Sequence, residues 1–253
     1  MQNKQNAARP LPLEGAFNVR DLGFYQDCHG RKLQEHRLLR GDSPEHLTDQ
    51  DIAFLKTYGL IGSVDLRTDE ECRKAPSRLK DVPGLFYERV PIQNATCTNG
   101  FAGGYPPSLG AYYTDILINQ EEKLVRIWRL LARCQEGCVL FHCSAGKDRT
   151  GVVAMLVLAA AGVDREVILA DYEVSQVNMQ AILEQQQKEA EKEGNPKPAY
   201  LYESRQRDMS QALKYIEKMF GTGEEYLRAL GLTRTEIRRL TGTLGAAALG
   251  ETA

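Results

Sequence analysis

Cys143 and Arg149 stand six residues apart in the run His142-Cys-Ser-Ala-Gly-Lys-Asp-Arg-Thr-Gly151, a spacing suited to the chemistry of phosphate esters. A thiolate is a strong nucleophile. An arginine offers a planar fork that matches two phosphate oxygens at once, which a lysine does less well. Consecutive N–H groups from Ser144 to Arg149, including those of Ala145, Gly146, Lys147 and Asp148, could curl around an anion at a helix N-terminus. Gly146 permits the backbone angles of such a cradle. A free thiol with a pKa of about 8.5 is only a few per cent ionised at neutral pH, and the amides, the helix dipole and Arg149 all favour the anion. Thr150 could donate its hydroxyl to the sulfur, and His142 could order the loop by hydrogen bonding. Attack on a phosphate monoester would give a phosphocysteine, which water then hydrolyses. For Cys143 alone, a buried structural cysteine before a generic turn is the simpler reading. The arginine, the glycine and the hydroxyl at this spacing favour the phosphate cradle.

The flanking sequence supplies the elements that such a loop needs. Cys138–His142 reads as a short buried strand, and residues 152–162 as a buried helix. Thr48 has N-cap chemistry for a helix through Ile52, Phe54, Leu55 and Tyr58 to Gly59. Residues 60–66 read as a central strand ending near Asp65, and residues 85–92 as another strand. Asn, Thr, Gly and a Pro-Pro pair make residues 93–110 a long loop of the kind that often carries function. A single helix is expected from Ala111 to Cys134. Beyond Asp164 the chain is helical again, with a breaker at residues 194–198, an apolar stripe from Met209 to Phe220 and a short helix over residues 233–240. Residues 1–13 read as a loose arm and 244–253 as a tail, which leaves one domain over residues 14–243.

The chain of 253 residues is long enough to bury a core without a disulfide or metal staple. Apolar residues are 42% and charged residues 26%, with a net charge of -2, so no global basic field argues for nucleic acid. The longest apolar run, residues 152–162, is about half of a bilayer span. The N-terminus has no apolar stretch behind its basic residues, so a cytoplasmic location is expected, with leaderless export left open. The six cysteines contain no Cys-x-x-Cys pair. Cys134 and Cys138 lack the matching pair that structural zinc needs, and no motif asks for a metal or cofactor.

The loop resembles the Cys-x5-Arg signature of the protein-tyrosine phosphatase superfamily. Its Lys-Asp pair resembles a bacterial and fungal branch acting on phosphotyrosine, phosphoserine/threonine and phosphoinositides. The resemblance extends to residues 17–23, 64–67, 171–175 and 226–231, and so covers roughly residues 14–243. Departures fall at Phe24, where a second Gly is common, and at Arg40-Gly41, where Arg-Ser is common. The resemblance implies an α/β fold with a mixed central sheet flanked by helices. It also suggests that residues 176–220 form a helical cover over the pocket; a solvated, amphipathic helix pair is the alternative.

Three aspartates compete for general acid. The resemblance implies a catalytic role for Asp148. Asp65 lies at a predicted strand end, where open sheets place functional groups. Asp115, 28 residues before Cys143, has the separation of many dual-specificity enzymes, but acidic residues are expected in the first turns of a helix anyway. Asp148 ranks first, then Asp65. Lys147 beside the cradle would favour multiply phosphorylated ligands such as phosphoinositides, against a lysine in solvent. Asp65 and Arg67 either buttress the loop or form a conventional strand-end ion pair. A rhodanese-type sulfurtransferase and a non-catalytic phospho-binding module are the competing readings, and the retained Cys and Lys-Asp-Arg-Thr-Gly ending argue against both.

Overall fold

The computed structural model describes residues 9–93, 104–133 and 137–243. Strands β1 (Arg20–Asp21), β2 (Leu38–Gly41), β3 (Leu60–Asp65), β4 (Phe86–Arg89) and β5 (Cys138–His142) make one sheet in the order β1-β2-β5-β3-β4. β1 is antiparallel to β2 and all other pairs are parallel, the mixed sheet that was expected. β5 is central, and all five of its residues are buried. Its side chains alternate, as strand geometry dictates. Val139 and Phe141 join the larger core cluster, while Cys138 and Leu140 join a smaller one with Leu39, Leu55 and Leu60. Gly41 and Asp65 both pair with His142 in register, which brings the carboxyl ends of β2, β3 and β5 together. Cys143 follows at that edge, where open α/β sheets place their ligands.

Helices α1 (Asp49–Thr57) and α2 (Asp69–Lys74) each begin with a capping box, Thr48 with Asp51 and Thr68 with Glu71. Then come α3 (Leu109–Asn119), α4 (Glu121–Ala132), α5 (Asp148–Ala160), α6 (Arg165–Asn178), α7 (Gln180–Lys192), α8 (Gln206–Phe220), α9 (Gly223–Ala229) and α10 (Arg234–Thr243). Val152 to Leu158 of α5 are all buried in the larger cluster, beside residues of α3, α6, α8 and α9. The helix begins four residues before its apolar run, which puts Arg149 and Thr150 in its first turn.

The single helix expected over residues 111–134 is two helices, broken at Gln120. Leu117 and Leu124 are seven residues apart, so the buried face stays in phase across the break and periodicity cannot reveal it. The arm before residue 9, the tail from residue 244, residues 94–103 of the long loop, Cys97 and Cys134 lie outside the described residues. Cys28, Cys72 and Cys143 are free thiols. Among the described residues no helix is long and apolar enough to cross a membrane.

Candidate active site

Cys143 leaves β5 at the floor of a cavity of about 400 Å³ that Ser144, Ala145, Lys147, Asp148 and Arg149 also line. Gly146 has φ +64°, and a Cβ there would lie 2.4 Å from the carbonyl carbon and oxygen of Gly41, so the position needs glycine on two counts. Gly41 is itself confined: a Cβ on it would come within 2.6 Å of Val19 Cγ2. This departure from the common Arg-Ser pair therefore goes with the close packing of Val19 on β2.

The loop's carbonyls are tied down from beneath. Ser144 O accepts from Ser43 N at 2.9 Å. Asn18 Nδ2 donates to Ala145 O and Gly146 O at 3.0 and 3.2 Å, and an Arg40 terminal nitrogen donates to Gly146 O at 2.8 Å. In a trans peptide the C=O and the following N–H point opposite ways, so anchoring these three carbonyls turns the N–H groups of Ala145, Gly146 and Lys147 away from the anchors. Among the described residues, no protein acceptor takes the N–H of Ser144, Ala145, Gly146 or Lys147. Such a row of unspent donors before a helix N-terminus has the arrangement that can receive an anion.

Below the anchors lies a buried ionic cluster. Asp171 accepts from Arg20 Nε at 2.9 Å, from Tyr25 Oη at 2.8 Å and from Arg40. Burial alone would raise the Asp171 carboxyl, but the two guanidiniums overcome it and hold it at about 2. In the sequence, Asn18, Arg20 and Asp171 stand out only as polar residues in short apolar surroundings within the family-like segments, and nothing in their spacing points to this role.

Arg149 is clamped by a residue the sequence reading also missed. Its two terminal nitrogens donate to the two Glu71 carboxylate oxygens, each at 2.7 Å. Glu71 also accepts from the Ser144 hydroxyl at 2.6 Å and from Thr68 N at 2.9 Å. Against burial, those bonds and the Arg149 charge hold Glu71 at about 2. Burial would lower Arg149, but Cys143 and Glu71 raise it. The clue in the sequence was Thr68-x-x-Glu71, a capping box directly after a strand.

Asp65 is sealed and fully engaged. It accepts from Arg67 nitrogens at 2.8 to 3.1 Å and from Tyr87 Oη at 2.6 Å, which hold it below the ordinary carboxylate range despite its burial. Arg67 continues to the Ser43 hydroxyl and Ala75 O, at 2.8 and 2.7 Å. The pair braces the strand ends around the loop. His142 is buried, with Nδ1 3.4 Å from Cys143 O, and burial pushes its pKa down to about 4, so the ring is neutral at pH 7. Thr150 Oγ1 is buried and has no hydrogen-bond partner among the described residues.

Asp148 lines the cavity, and its Oδ1 accepts from Tyr113 Oη at 2.5 Å and pairs with Lys147 Nζ at 3.1 Å. Lys147 is buried, not in solvent: its ammonium also donates to Leu201 O and Glu203 O at 3.1 and 2.6 Å. Asp115 is not part of the cavity wall and accepts from Asn119 in its own helix. The opposite wall of the cavity comes from α7 and the segment after it, including Leu183, Ala190, Leu201 and Tyr202.

The chain is similar to a tyrosine-protein phosphatase of Nostoc commune, 28% identical over 87% of this chain and 78% of that one. It is also similar to the triple specificity protein phosphatase PtpB of Mycobacterium tuberculosis, 28% identical over 94% of this chain and 99% of that one. Among solved structures, P. aeruginosa TpbA in complex with pTyr covers 89% of this chain and 98% of its own, at 15% identity and a TM-score of 0.46. The model of the tyrosine phosphatase family matches residues 11–245. With nearly the whole described fold inside that match, the chain belongs to the tyrosine phosphatase family.

Proposed function

We propose that Cys143 attacks the phosphorus of a phosphate monoester while the amides of residues 144–149 and the Arg149 guanidinium hold its oxygens. The observation that carries this reading is the row of unpaired amides at the cavity floor beside Cys143. The sulfur–phosphorus bond forms as the ester oxygen leaves with the bonding pair. Asp148 protonates that oxygen. Water then attacks the phosphocysteine, and its proton passes back to Asp148 as the thiolate departs. Asp148 suits the role because Oδ1 takes both the Tyr113 and Lys147 contacts, leaving Oδ2 to carry the proton toward the cavity. Asp65 does not suit it, being sealed behind Arg67 and Tyr87. Thr150, with its hydroxyl unspent, donates to the leaving sulfur in the second step.

The substrates in this reading are phosphotyrosine first, then phosphoserine and phosphothreonine; the Mycobacterium relative is named a triple specificity protein phosphatase, which supports action on more than one kind of phosphoresidue. Within residues 176–220, α7 and the segment to Tyr202 act as a lid, latched to the loop through Lys147. The acid assignment is tested with Asp148→Asn. Turnover of alkyl phosphates should fall about a hundredfold or more, the usual scale of a general acid, while activated aryl phosphates keep most of their rate. Equal losses on both substrates would overturn it.

A further inference from the structure

We propose that Tyr113, backed by Tyr172, is the positioning residue of Asp148: two phenols in series hold its carboxyl so that the oxygen carrying the proton faces the leaving group. This rests on the assignment of Asp148 as general acid and goes on to what keeps that acid in place.

Both phenols are sealed in the core on helices other than the acid's own. Tyr113 on α3 is 0% exposed and Tyr172 on α6 is 1% exposed. Their rings meet edge to face at 77°, with centroids 5.7 Å apart. Tyr172 also lies close against α5, one turn beyond Asp148: a Cβ on Gly151 would come within 3.1 Å of Tyr172 Cδ2. Packing therefore fixes where the two hydroxyls stand. Tyr113 Oη is 2.5 Å from Asp148 Oδ1 and 2.6 Å from Tyr172 Oη. A carboxylate oxygen only accepts, so Tyr113 spends its proton on Asp148 and takes the proton of Tyr172 on its own oxygen. Burial, and then the Asp148 charge, raise both phenols well above the ordinary range, so each remains a donor at neutral pH.

The acid needs such an anchor. Aspartate turns about two side-chain torsions, and the Asp148 side chain is 23% exposed, so burial alone does not hold it. The other donor on Oδ1, Lys147 Nζ at 3.1 Å, is shared with Leu201 O and Glu203 O and so belongs in part to the segment over the cavity. Tyr113 instead ties the carboxyl to the core. A reacting group displaced by about 1 Å can lose about a hundredfold in rate. Removing the Tyr113 hydroxyl leaves Lys147 in place, so a smaller loss is expected, confined to the step in which Asp148 delivers its proton.

The test compares kcat/KM for phenyl phosphate, whose leaving phenol is about as basic as that of tyrosine, with kcat/KM for para-nitrophenyl phosphate. The ratio of the two is insensitive to the amount of folded enzyme and reports how much the leaving oxygen needs the acid. Tyr113→Phe keeps the ring and removes the hydroxyl, and should lower this ratio about five- to tenfold. Tyr172→Phe should lower it about two- to threefold, because Tyr113 keeps its proton but loses the bond that directs it. In the Asp148→Asn background, Tyr113→Phe should change the ratio by less than about twofold, since the group it positions is gone. An unchanged ratio in Tyr113→Phe, or a fall as large in the Asp148→Asn background as in the wild type, would overturn the proposal. Failure of the acid assignment reads differently, as an unchanged ratio in Asp148→Asn itself.

Discussion

Glu71→Gln is the substitution that most directly separates orientation of Arg149 from its mere presence. The wild-type carboxylate accepts from both terminal nitrogens of Arg149 at 2.7 Å each. Gln keeps the length and shape but replaces one acceptor with a donor, so the two-point clamp becomes one-point. A charge-assisted hydrogen bond contributes about 1.5–3 kcal/mol. The Glu71 side chain is 22% exposed, so a value near the lower end, about 2 kcal/mol, is appropriate. If that ordering is lost from the transition state, kcat/KM falls roughly thirtyfold. Relief of repulsion between Glu71 and an incoming dianion works the other way, but Arg149 is paired to Glu71 and screens it. The assay is kcat/KM on para-nitrophenyl phosphate with vanadate affinity measured alongside, both of which should weaken, and Glu71→Asp should recover part of the loss. Rates within twofold of wild type, with an unchanged melting temperature, would refute the claim that Glu71 positions Arg149.

Gly146→Ala should abolish measurable turnover and lower stability by about 2–4 kcal/mol, since the new methyl meets Gly41 backbone at 2.4 Å in a left-handed conformation; urea unfolding and a rate assay check this. Between pH 6.5 and 5 the dependence of stability on pH rests on two opposed groups. Burial drops His142 from 6.5 to about 4, so its contribution is present above pH 6.5 and is lost as pH falls toward 4. Burial raises Asp42 from 3.8 to about 6, so its contribution is present below pH 3.8 and is lost as pH rises through 6. The two shifts are of similar size and opposite sense, so urea unfolding of the wild type should give nearly constant stability between pH 6.5 and 5. Asp42→Asn removes one side of the balance and should lose about 1.5–2 kcal/mol over the same window. A variant as flat as wild type would contradict the assignment.

The strand, loop and helix around residues 143–149 were legible because their requirements are local. A buried strand, a glycine and a helix start lie within one stretch, and Cys138–His142 and the helix after it formed where their apolar pattern placed them. What holds the loop was not legible. Asn18, Arg40 and Glu71 reach it from positions 73 to 128 residues away in sequence, and no periodicity encodes such contacts. Asp65 and Lys147 illustrate the same gap from the other side. Both residue types fit chemistry, and both side chains are committed by partners that only the fold brings near: Tyr87 for one, and the backbone of residues 201 and 203 for the other. The break at Gln120 escaped because the buried face on either side stays in phase.

The central claim is that the phosphoryl group passes through the sulfur of Cys143. Quenching the enzyme with denaturant at alkaline pH during steady turnover of a radiolabelled phosphotyrosine peptide, followed by peptide mapping at alkaline pH, tests it directly. The account predicts acid-labile label on the fragment containing Cys143 and none in Cys143→Ser. Label on another fragment, or full turnover with no labelled protein at any quench time, would contradict it.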